Sequence, residues 1–574
     1  MRKQFTGSVF TMLALATVLV SIFGASFAFA KAQSHSSAHT QFATSAKPAT
    51  AAMVSMHTVD MKGVPEETAS SAILAARAMP FLTGVSATVY AQRKAAALHN
   101  KNTPLNVHPA QDSPFTPTTL AKFKGMADSH SICPPSGCQP PDQALATSSS
   151  WVLQGVNTSF AVYNTTGTRQ SGWPKQAKTF FGVPNPGSCS PSGPFLSDPR
   201  AFYDPKDGRF WAAMLEVEGA FGINACPEKT FYWIAVSQTN NPNGTWNVYA
   251  FNMAINATGS CPTCAADFTQ FGFDQTAIYF SGNMYSQNGN TYMYAEMWSV
   301  LKSTMESGSS SSAFGFFNFI ANGIKVDTIQ PVENEASSGP GAGLLINSFN
   351  INGDGTHDCF STACSGVVVW AIANPGTSSD AASSVIASTT YTYILPPSAD
   401  EPGCSACIET SDTRISGTPV YQAGSISFAL ESALSNTTQI VPGIFYGLAQ
   451  PTISGGTITG ASVNLNGTIA FGGDRAGSFP TLIQTKTGNL LMVFDTMSST
   501  LNPSIMYATH LTTDITGFEP ALYLKKGLAA TNNTRWGDYE AISYDGTATN
   551  NVWFSAQYAG SNKDWATFIG KVNF

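Results

Sequence analysis

The stretch Asp198-Pro199-Arg200-Ala201-Phe202-Tyr203-Asp204 places an acidic residue directly before an aromatic strand. A hairpin and another strand-like run follow it. The same order recurs, with uneven spacing, at Asp142, Asp267, Asp474 and Arg535-Trp536-Gly537-Asp538-Tyr539. Repeats of about four strands are too long for solenoid units and suit the blades of a β-propeller. We therefore predict an all-β fold, a single β-propeller of about six or seven four-stranded blades over residues 140–574.

Short strands fill this region of the sequence. Runs such as Phe231-Tyr232-Trp233-Ile234-Ala235-Val236-Ser237 are followed by turn residues such as Asn240-Asn241-Pro242-Asn243-Gly244. That pattern is typical of antiparallel sheets. Two or three stacked β-sandwiches are the alternative architecture. The acidic and aromatic signature recurs over the whole span with no linker between copies, which favours the propeller.

Residues 1–30 have the order of a secretory signal peptide, with Met1-Arg2-Lys3, an apolar stretch and then Ala28-Phe29-Ala30. The apolar stretch is shorter than the roughly 20 residues that span a bilayer, so we expect cleavage and no transmembrane anchor in the mature chain. Residues 31–130 are rich in Ala, Ser, Thr and Pro, with one predicted helix at 65–99. We expect this segment to be a leader, a pro-segment or a surface stalk.

The ten cysteines fall mostly into close neighbours. The neighbours are Cys133 with Cys138, Cys261 with Cys264, Cys359 with Cys364, and Cys404 with Cys407, while Cys189 and Cys226 lie further apart. An even count in an exported chain favours local disulfides. The two C-x-x-C pairs also have a spacing found in zinc sites, which is the alternative.

The composition excludes several classes of function. Charged residues make up only 11% of the chain and the net charge is -7, with no basic run. Nucleic acid binding needs clustered Lys and Arg, so we expect no nucleic acid partner. The sequence has no G-x-S-x-G, no H-E-x-x-H and no phosphate-binding glycine loop, which disfavours serine hydrolases, zinc proteases and nucleotide enzymes.

Several motifs resemble a group of secreted bacterial β-propeller proteins of the broad sialidase or glycosidase-like kind. They are Pro140-Pro141-Asp142, residues 156–160, Asp198-Pro199-Arg200, residues 234–239 and Arg535-Trp536-Gly537-Asp538-Tyr539. The resemblance covers residues 140–574. It implies export and a propeller fold, without implying a particular reaction.

Residues that start successive blades would meet at the centre of a propeller. The predicted carboxylate ring consists of Asp142, Asp198, Asp267, Asp474 and Asp538. Such a ring could bind a hard cation, or two carboxylates could act as acid and base on a glycosidic bond. For catalysis the candidates are Asp198, Asp474 and Asp538, with Tyr539 nearby. The alternative is that each Asp only caps its own turn.

Arginines beside these acidic residues are candidate ligand-binding groups. Arg200, Arg475 and Arg535 could orient a ligand together with Asp142 and Asp267, because a guanidinium holds a carboxylate in two hydrogen bonds. Arg414 lies in a similar context. The alternative is a structural Arg–Asp pair. Sialidases also carry Asp-box turns, and residues 241–246 and 207–211 depart from that pattern in spacing or residue type.

A candidate calcium loop spans residues 350–358. Asn350, Asn352, Asp354 and Asp358 place oxygen side chains at alternate positions with a glycine at the sixth. The bidentate Glu of a calcium loop is missing, so a polar hairpin tip is the alternative. Calcium is the one cofactor that the sequence suggests.

The functional prediction is a secreted or cell-surface propeller that binds an extracellular glycan or protein. A glycoside hydrolase that uses the carboxylates of the ring is the first alternative. A structural component of the cell envelope is the second.

Overall fold

The computed structural model describes most of the chain. The described residues are 39–40, 48–67, 77–78, 84–105, 116–128, 138–184, 194–218, 230–256, 259–261, 264–286, 291–336, 339–350, 358–436, 439–514, 517–531, 533, 535–546 and 548–574. The predicted signal peptide lies outside these residues. Among them, no helix is long and apolar enough to cross a membrane.

Nearly all of the regular structure is β, as the strand and turn pattern predicts. Before residue 140 the strands are β1 His39–Thr40, β2 Ala49–Asp60, β3 Arg77–Ala78, β4 Thr118–Ala127 and β5 Cys138–Gln139. They are followed by β6 Ala144–Thr147, β7 Trp151–Val156, β8 Ser159–Asn164, β9 Lys175–Gln176, β10 Pro194–Asp204, β11 Arg209–Glu218, β12 Phe231–Ser237, β13 Thr245–Asn252, β14 Ile255–Asn256, β15 Gly259–Ser260, β16 Cys264–Phe273, β17 Ala277–Ser286, β18 Tyr292–Leu301 and β19 Ser312–Phe317.

The second half of the chain continues in the same way. Its strands are β20 Ile320–Ala321, β21 Ile324–Lys325, β22 Gln330–Pro331, β23 Glu333–Asn334, β24 Gly343–Ser348, β25 Val367–Ala373, β26 Ala381–Ala387, β27 Ala399–Glu401, β28 Cys404–Ile408, β29 Val420–Gln422, β30 Ser425–Ser435, β31 Ile440–Ser454, β32 Thr457–Ile469, β33 Ala476–Gln484, β34 Leu490–Ser498, β35 Leu501–His510, β36 Leu522–Lys525, β37 Ala541–Asp545, β38 Ala548–Ala559 and β39 Trp565–Asn573. The described helices are α1 Ala87–Ala97, α2 Ala177–Phe180 and α3 Lys302–Glu306.

Five sheets of four or more strands form the propeller. Three are four-stranded, in the orders β6-β7-β8-β9, β33-β34-β35-β36 and β37-β38-β39-β4, one has five strands, β1-β26-β25-β24-β22, and one has fourteen. The sequence predicted six or seven blades, whereas the structure has five sheets of this size. The sheets are fewer because β2 pairs with both β13 and β19, and β23 pairs with both β16 and β29, so that three antiparallel groups share one sheet.

The first strands of several sheets contain a β-bulge. Register shifts occur between Ser197 and Arg200 in β10, between Asp267 and Gln270 in β16, and between Ser478 and Thr481 in β33. Asp198, Phe268 and Phe479 have φ of 56°, 52° and 52° at these bulges. A bulge turns a side chain out of the regular alternation. Each bulge therefore changes the direction of side chains within its own strand.

Aromatic side chains pack between the sheets. Trp211, Trp246, Trp553 and Trp565 are fully buried, and Phe202 stacks on Phe273 of β16 with ring centroids 4.0 Å apart. Large rings contribute much of the burial between sheets. This packing holds the first strand of each sheet in place around the centre.

Part of the predicted leader, pro-segment or stalk at residues 31–130 pairs with strands of the later region. Within this segment, β2 pairs with β13 and β19, and β4 is the edge partner of β39. Of the predicted helix at 65–99, residues 87–97 form α1, whose Lys94 is 4% exposed, whereas residues 77–78 form β3 and residues 65–67 are not helical. The composition of the segment predicted little packed structure, and the long-range strand pairing overrides that local signal.

Disulfides join three of the predicted neighbouring pairs. Cys261–Cys264, Cys359–Cys364 and Cys404–Cys407 are bonded. The two C-x-x-C pairs are therefore disulfides and do not form a zinc site. The remaining four cysteine side chains lie outside the description.

Candidate functional site

Charged and aromatic side chains from several sheets meet where the first strands converge. We call this group the central cluster; it consists of Asp142, Asp198, Arg200, Asp267, Phe268, Asp412, Arg414, Arg535, Asp538 and Tyr539. Asp198 and Arg200 come from β10, and Asp267 and Phe268 from β16. Asp142 lies before β6, Asp412 and Arg414 before β29, and the last three residues before β37. The repeat seen in the sequence thus brings four of its five aspartates together.

Three of these aspartates are held by the protein itself. Asp142 accepts hydrogen bonds from Asn157 Nδ2 at 2.9 Å and from the backbone N–H of Asp538 at 3.0 Å. Asp198 accepts from the backbone N–H of Thr269 at 3.2 Å. Asp538 accepts hydrogen bonds from both terminal nitrogens of Arg535, at 2.5 and 2.6 Å. These contacts agree with the turn-capping and Arg–Asp alternatives of the sequence analysis.

Asp267 differs from the other three. Its side chain is 7% exposed, and neither carboxyl oxygen accepts a hydrogen bond from a described residue. A buried carboxyl group without a hydrogen bond is unfavourable unless it is protonated or meets a ligand. Asp267 is therefore the acidic group of the cluster that is left available.

The shared burial of these carboxyl groups raises their pKa values. For Asp267, burial is the largest cause, followed by the negative charges of Asp198 and Asp538, and the pKa lies well above its ordinary value. Burial and Asp538 likewise raise the pKa of Asp142 and of Asp198. Carboxyl groups of this kind keep a proton that they can donate.

Two arginines of the cluster are engaged by carboxylates. Arg414 donates from Nε and Nη2 to Asp412 at 2.8 and 2.7 Å. Burial alone would raise the pKa of Asp412, but the Arg414 guanidinium outweighs it, and the pKa is lowered. Arg535 forms the equivalent fork with Asp538. These two arginines stabilise the cluster.

Arg200 has no carboxylate partner within ion-pair distance among the described residues. Its Nε donates to Thr269 O at 3.2 Å and its Nη1 to Thr418 Oγ1 at 3.4 Å, while Nη2 is buried without a hydrogen-bond partner. The guanidinium stacks on the ring of Tyr539, with Cζ 3.4 Å from the ring centroid. Arg200 therefore has donor capacity left for a ligand.

Phe268 is a member of the cluster that the sequence analysis did not single out. Arg414 Cζ lies 4.5 Å from its ring centroid, and the ring meets that of Tyr539 edge to face at 6.0 Å. The tyrosine hydroxyl donates to Pro199 O at 3.2 Å. The signal that could have identified Phe268 is its place directly after Asp267, at the bulge of β16.

Asp474 and Arg475, in contrast, lie outside the cluster. Asp474 accepts from the backbone N–H of Ser499 at 2.8 Å in an exposed turn. Arg475 donates to Thr496 Oγ1 at 2.9 Å and to Tyr523 OH at 3.1 Å. The bulge of this sheet follows them, at Phe479, so the acidic residue of this repeat comes too early to reach the centre.

The described part of the candidate calcium loop is occupied by protein contacts. Asn350 donates from Nδ2 to Asp327 at 3.3 Å and accepts from Thr413 Oγ1 at 3.0 Å. Asp358 accepts from the backbone N–H groups of Phe360 and Ser361. Asn352 and Asp354 lie outside the described residues.

Among the described residues, one group of three acidic side chains is close enough together to hold a metal ion. It is Asp204, Asp207 and Glu306, away from the central cluster. Lys302 binds Asp204, and its Nζ lies 2.8 Å from Asp207. The lysine thus pairs with two of the three carboxylates of this group.

A second buried carboxyl pair lies beside the cluster. Asp495 accepts from Trp536 Nε1 at 2.7 Å, and Glu540 accepts from Gln143 Nε2. Burial raises the pKa of Asp495 to about 8, and burial followed by the Asp495 charge raises that of Glu540. Sequence reasoning missed this pair because Asp495 lies within β34, away from the acidic residue that begins its repeat.

Comparison with known proteins finds solved structures of low similarity. No protein-family model and no curated protein matches the chain. An α-L-arabinanase of Penicillium chrysogenum complexed with arabinobiose is 10% identical over 80% of this chain and 99% of its own, with a TM-score of 0.36. An ulvan lyase of polysaccharide lyase family 25 is 11% identical over 80% and 95%, with a TM-score of 0.41. A Hadza microbial sialidase is 10% identical over 76% and 66%, with a TM-score of 0.35.

The names of these proteins agree with the glycosidase-like resemblance of the sequence. At identities of 10–11% they do not transfer an activity to this chain. The function is therefore argued from the side chains of the cluster.

Proposed function

We propose that this chain is an extracellular β-propeller that binds a glycan at the central cluster. The observation that carries the proposal is the contrast among the aspartates. Asp142, Asp198 and Asp538 have protein partners, whereas the carboxyl oxygens of Asp267 have none among the described residues. A buried carboxyl group without a hydrogen bond, beside a guanidinium nitrogen that also lacks one, is typical of a ligand site.

The chemistry around Asp267 suits sugar hydroxyl groups. A carboxyl group and an open guanidinium nitrogen on Arg200 offer both an acceptor and a donor. The rings of Phe268 and Tyr539 supply apolar faces beside them. A protein ligand is the alternative, and it would have to insert a polar side chain beside Asp267. The experiment below distinguishes a glycan ligand from a protein ligand.

Glycoside hydrolysis is the second candidate, and the raised pKa of Asp267 favours it. A protonated carboxyl group can act as general acid on a glycosidic oxygen, with a second carboxylate as base or nucleophile. Asp538 and Asp198 are the nearby carboxyl groups for the second role, and Tyr539 lies beside them.

The three disulfides fit an extracellular location. Export through a signal peptide, cleavage after Ala30 and calcium binding at residues 350–358 remain proposals from the sequence. A structural component of the cell envelope is the remaining alternative, and in that case the propeller would bind no ligand.

We also propose that the propeller has seven blades. The fourteen-stranded sheet contains the antiparallel groups β10–β13, β16–β19 and β29–β32, and these three groups with the four other sheets make seven. An experimental map viewed down the axis would show seven spokes; five spokes would contradict the count.

The experiment is a glycan-binding screen on the whole chain with two substitutions at one site. Asp267→Ala removes both oxygens and should weaken binding of the best glycan about tenfold, the equivalent of one hydrogen bond. Asp267→Asn keeps a neutral hydrogen-bonding group of the same shape, so binding should persist while any turnover is lost. Asp474→Ala is the matched control and should leave both unchanged.

Three outcomes decide between the candidates. Release of new reducing ends by the unaltered chain, absent in Asp267→Asn, establishes hydrolysis. Binding without turnover establishes a glycan-binding propeller. If no glycan binds, or if Asp267→Ala binds as tightly as the unaltered chain, the glycan site at Asp267 is wrong.

A further inference from the structure

A cavity opens beside β32 and β35, and it is also lined by the segment that precedes β33 and by residues 518–521. Its volume is about 480 Å³. Carbon-rich side chains form most of its walls, including Phe471, Met506, Ala508 and Phe518. No residue of the central cluster lines it. The cleft is therefore a separate place where a ligand could be accommodated.

Arg475 is the cation of this cleft. Its guanidinium lies over the ring of Phe471, with Cζ 4.9 Å from the centroid, and 5.4 Å from that of Tyr523. Its Nε donates to Thr496 Oγ1 and its Nη2 to Tyr523 OH. These contacts hold the plane of the guanidinium in one orientation.

The charge of Arg475 has no ion-pair partner in the part of the chain that the structure describes. Among the described residues no carboxylate lies within ion-pair distance of it, and its Nη1 makes no hydrogen bond to them. Glu519 also lines the cleft but is only 7% exposed. A ligand that enters the cleft meets one oriented cation.

We propose that this cleft binds an apolar monocarboxylate. The carboxylate pairs with the Arg475 guanidinium, and an aliphatic or aromatic body lies between Phe471 and Phe518. An arginine fork matches the planar geometry of a carboxylate. The carbon-rich walls favour an apolar body, because burial of apolar surface is the main gain that such walls offer.

Other ligand classes fit the cleft less well. A phosphate dianion calls for more than one cation, and Arg475 is the one basic residue of the described lining. A sugar carries many hydroxyl groups, which would be left without partners against these walls. This site is thus distinct in chemistry from the glycan site proposed at Asp267.

Calorimetric titration of the whole chain with 4-phenylbutyrate tests the proposal. We expect saturable binding, and binding at least about tenfold weaker for 4-phenylbutan-1-ol, which has the same body without the charge. Arg475→Gln should weaken 4-phenylbutyrate about tenfold, and Arg475→Lys should lie between the two because a lysine keeps the charge but not the fork. Arg209→Gln is the matched control at a part-buried arginine elsewhere and should change nothing.

A second variant does not depend on Arg475. A Cβ built at Gly472, a lining residue, meets no atom within 4 Å, so we expect Gly472→Phe to add a ring at the cleft and to block binding, with the thermal midpoint measured to check that the fold is kept. Binding that is unchanged in both Arg475→Gln and Gly472→Phe would overturn the site. Absence of binding by the unaltered chain would overturn the ligand class.

Discussion

The backbone amide of Asp538 donates a 3.0 Å hydrogen bond to Oδ1 of Asp142, although 396 positions separate the two residues. The other oxygen of Asp142 accepts from Asn157 Nδ2. One side chain thus joins the first and last repeats of the propeller at its centre.

Asp142→Ala should destabilise the fold because it leaves both donors without a partner. Each buried donor without a partner costs roughly 1–3 kcal/mol. Urea unfolding of the whole chain measures the change. Asp474→Ala is the control, an exposed turn aspartate with one backbone contact, and should lose no more than about 1 kcal/mol. Equal losses in the two variants would contradict a structural role at the centre.

The stack of Arg200 on Tyr539 predicts a graded response at position 539. Tyr539→Phe keeps the ring and loses only the hydroxyl bond to Pro199 O, so it should cost about 1 kcal/mol. Tyr539→Leu also removes the aromatic face under a buried guanidinium and should cost about 2 kcal/mol more. Thermal and urea unfolding give both values. Indistinguishable variants would show that the stack contributes nothing.

Folding stability should be greatest in acid and fall as the pH rises. Burial raises the pKa of Asp380 to about 6 and that of Asp495 to about 8, and it also raises the pKa values of Glu296 and Glu431. In the unfolded chain such groups ionise near pH 4, so the folded state binds more protons between about pH 4 and pH 8. Raising the pH through this window therefore favours unfolding.

Urea midpoints at about pH 4.5, 6 and 8 check the direction. Asp412 has a lowered pKa and acts in the opposite sense below this window. Asp495→Asn removes one titrating group and should flatten the decline, whereas Asp474→Asn should not. A midpoint that rises toward pH 8 would show that these carboxyl groups are ionised in the folded protein.

Helix α1 should depend on one lysine for its position. Lys94 Nζ donates to Thr410 Oγ1 at 2.9 Å and to Ser411 O at 2.6 Å, and lies 3.2 Å from Glu409. Lys94→Met removes all three contacts, and we expect amide hydrogen exchange within residues 84–105 to become at least about tenfold faster. Lys101→Met, at an exposed lysine, is the control. Unchanged exchange in Lys94→Met would mean that apolar contacts alone hold the helix.

The sequence predicts the parts of this structure that depend on local pattern. Alternating aromatic runs and turn residues predict the strands, and the repeat predicts that Asp142, Asp198, Asp267 and Asp538 meet. Asp474 fails because the bulge, not the acidic residue, decides which side chain reaches the centre, and in that sheet the bulge lies at Phe479.

The N-terminal segment could not be predicted in the same way. Strand β2 pairs with Thr245–Asn252 and with Ser312–Phe317, and partners so distant leave no signal in local composition. The sequence also gives no sign that Asp267 and Arg200 have polar atoms without hydrogen bonds, because this depends on which hydrogen bonds their neighbours make.

The pairing of β4 with β39 sets an order on the biogenesis of the protein. Thr567 Oγ1 donates to Met126 O across 441 positions, and β39 ends at Asn573 of the 574 residues. Strand β4 therefore stays without this partner until β39 has been synthesised. A chain stopped short by a single strand would present two open sheet edges, the usual starting point for aggregation. Residues 565–573 are thus the ones that cover the edges of both β38 and β4.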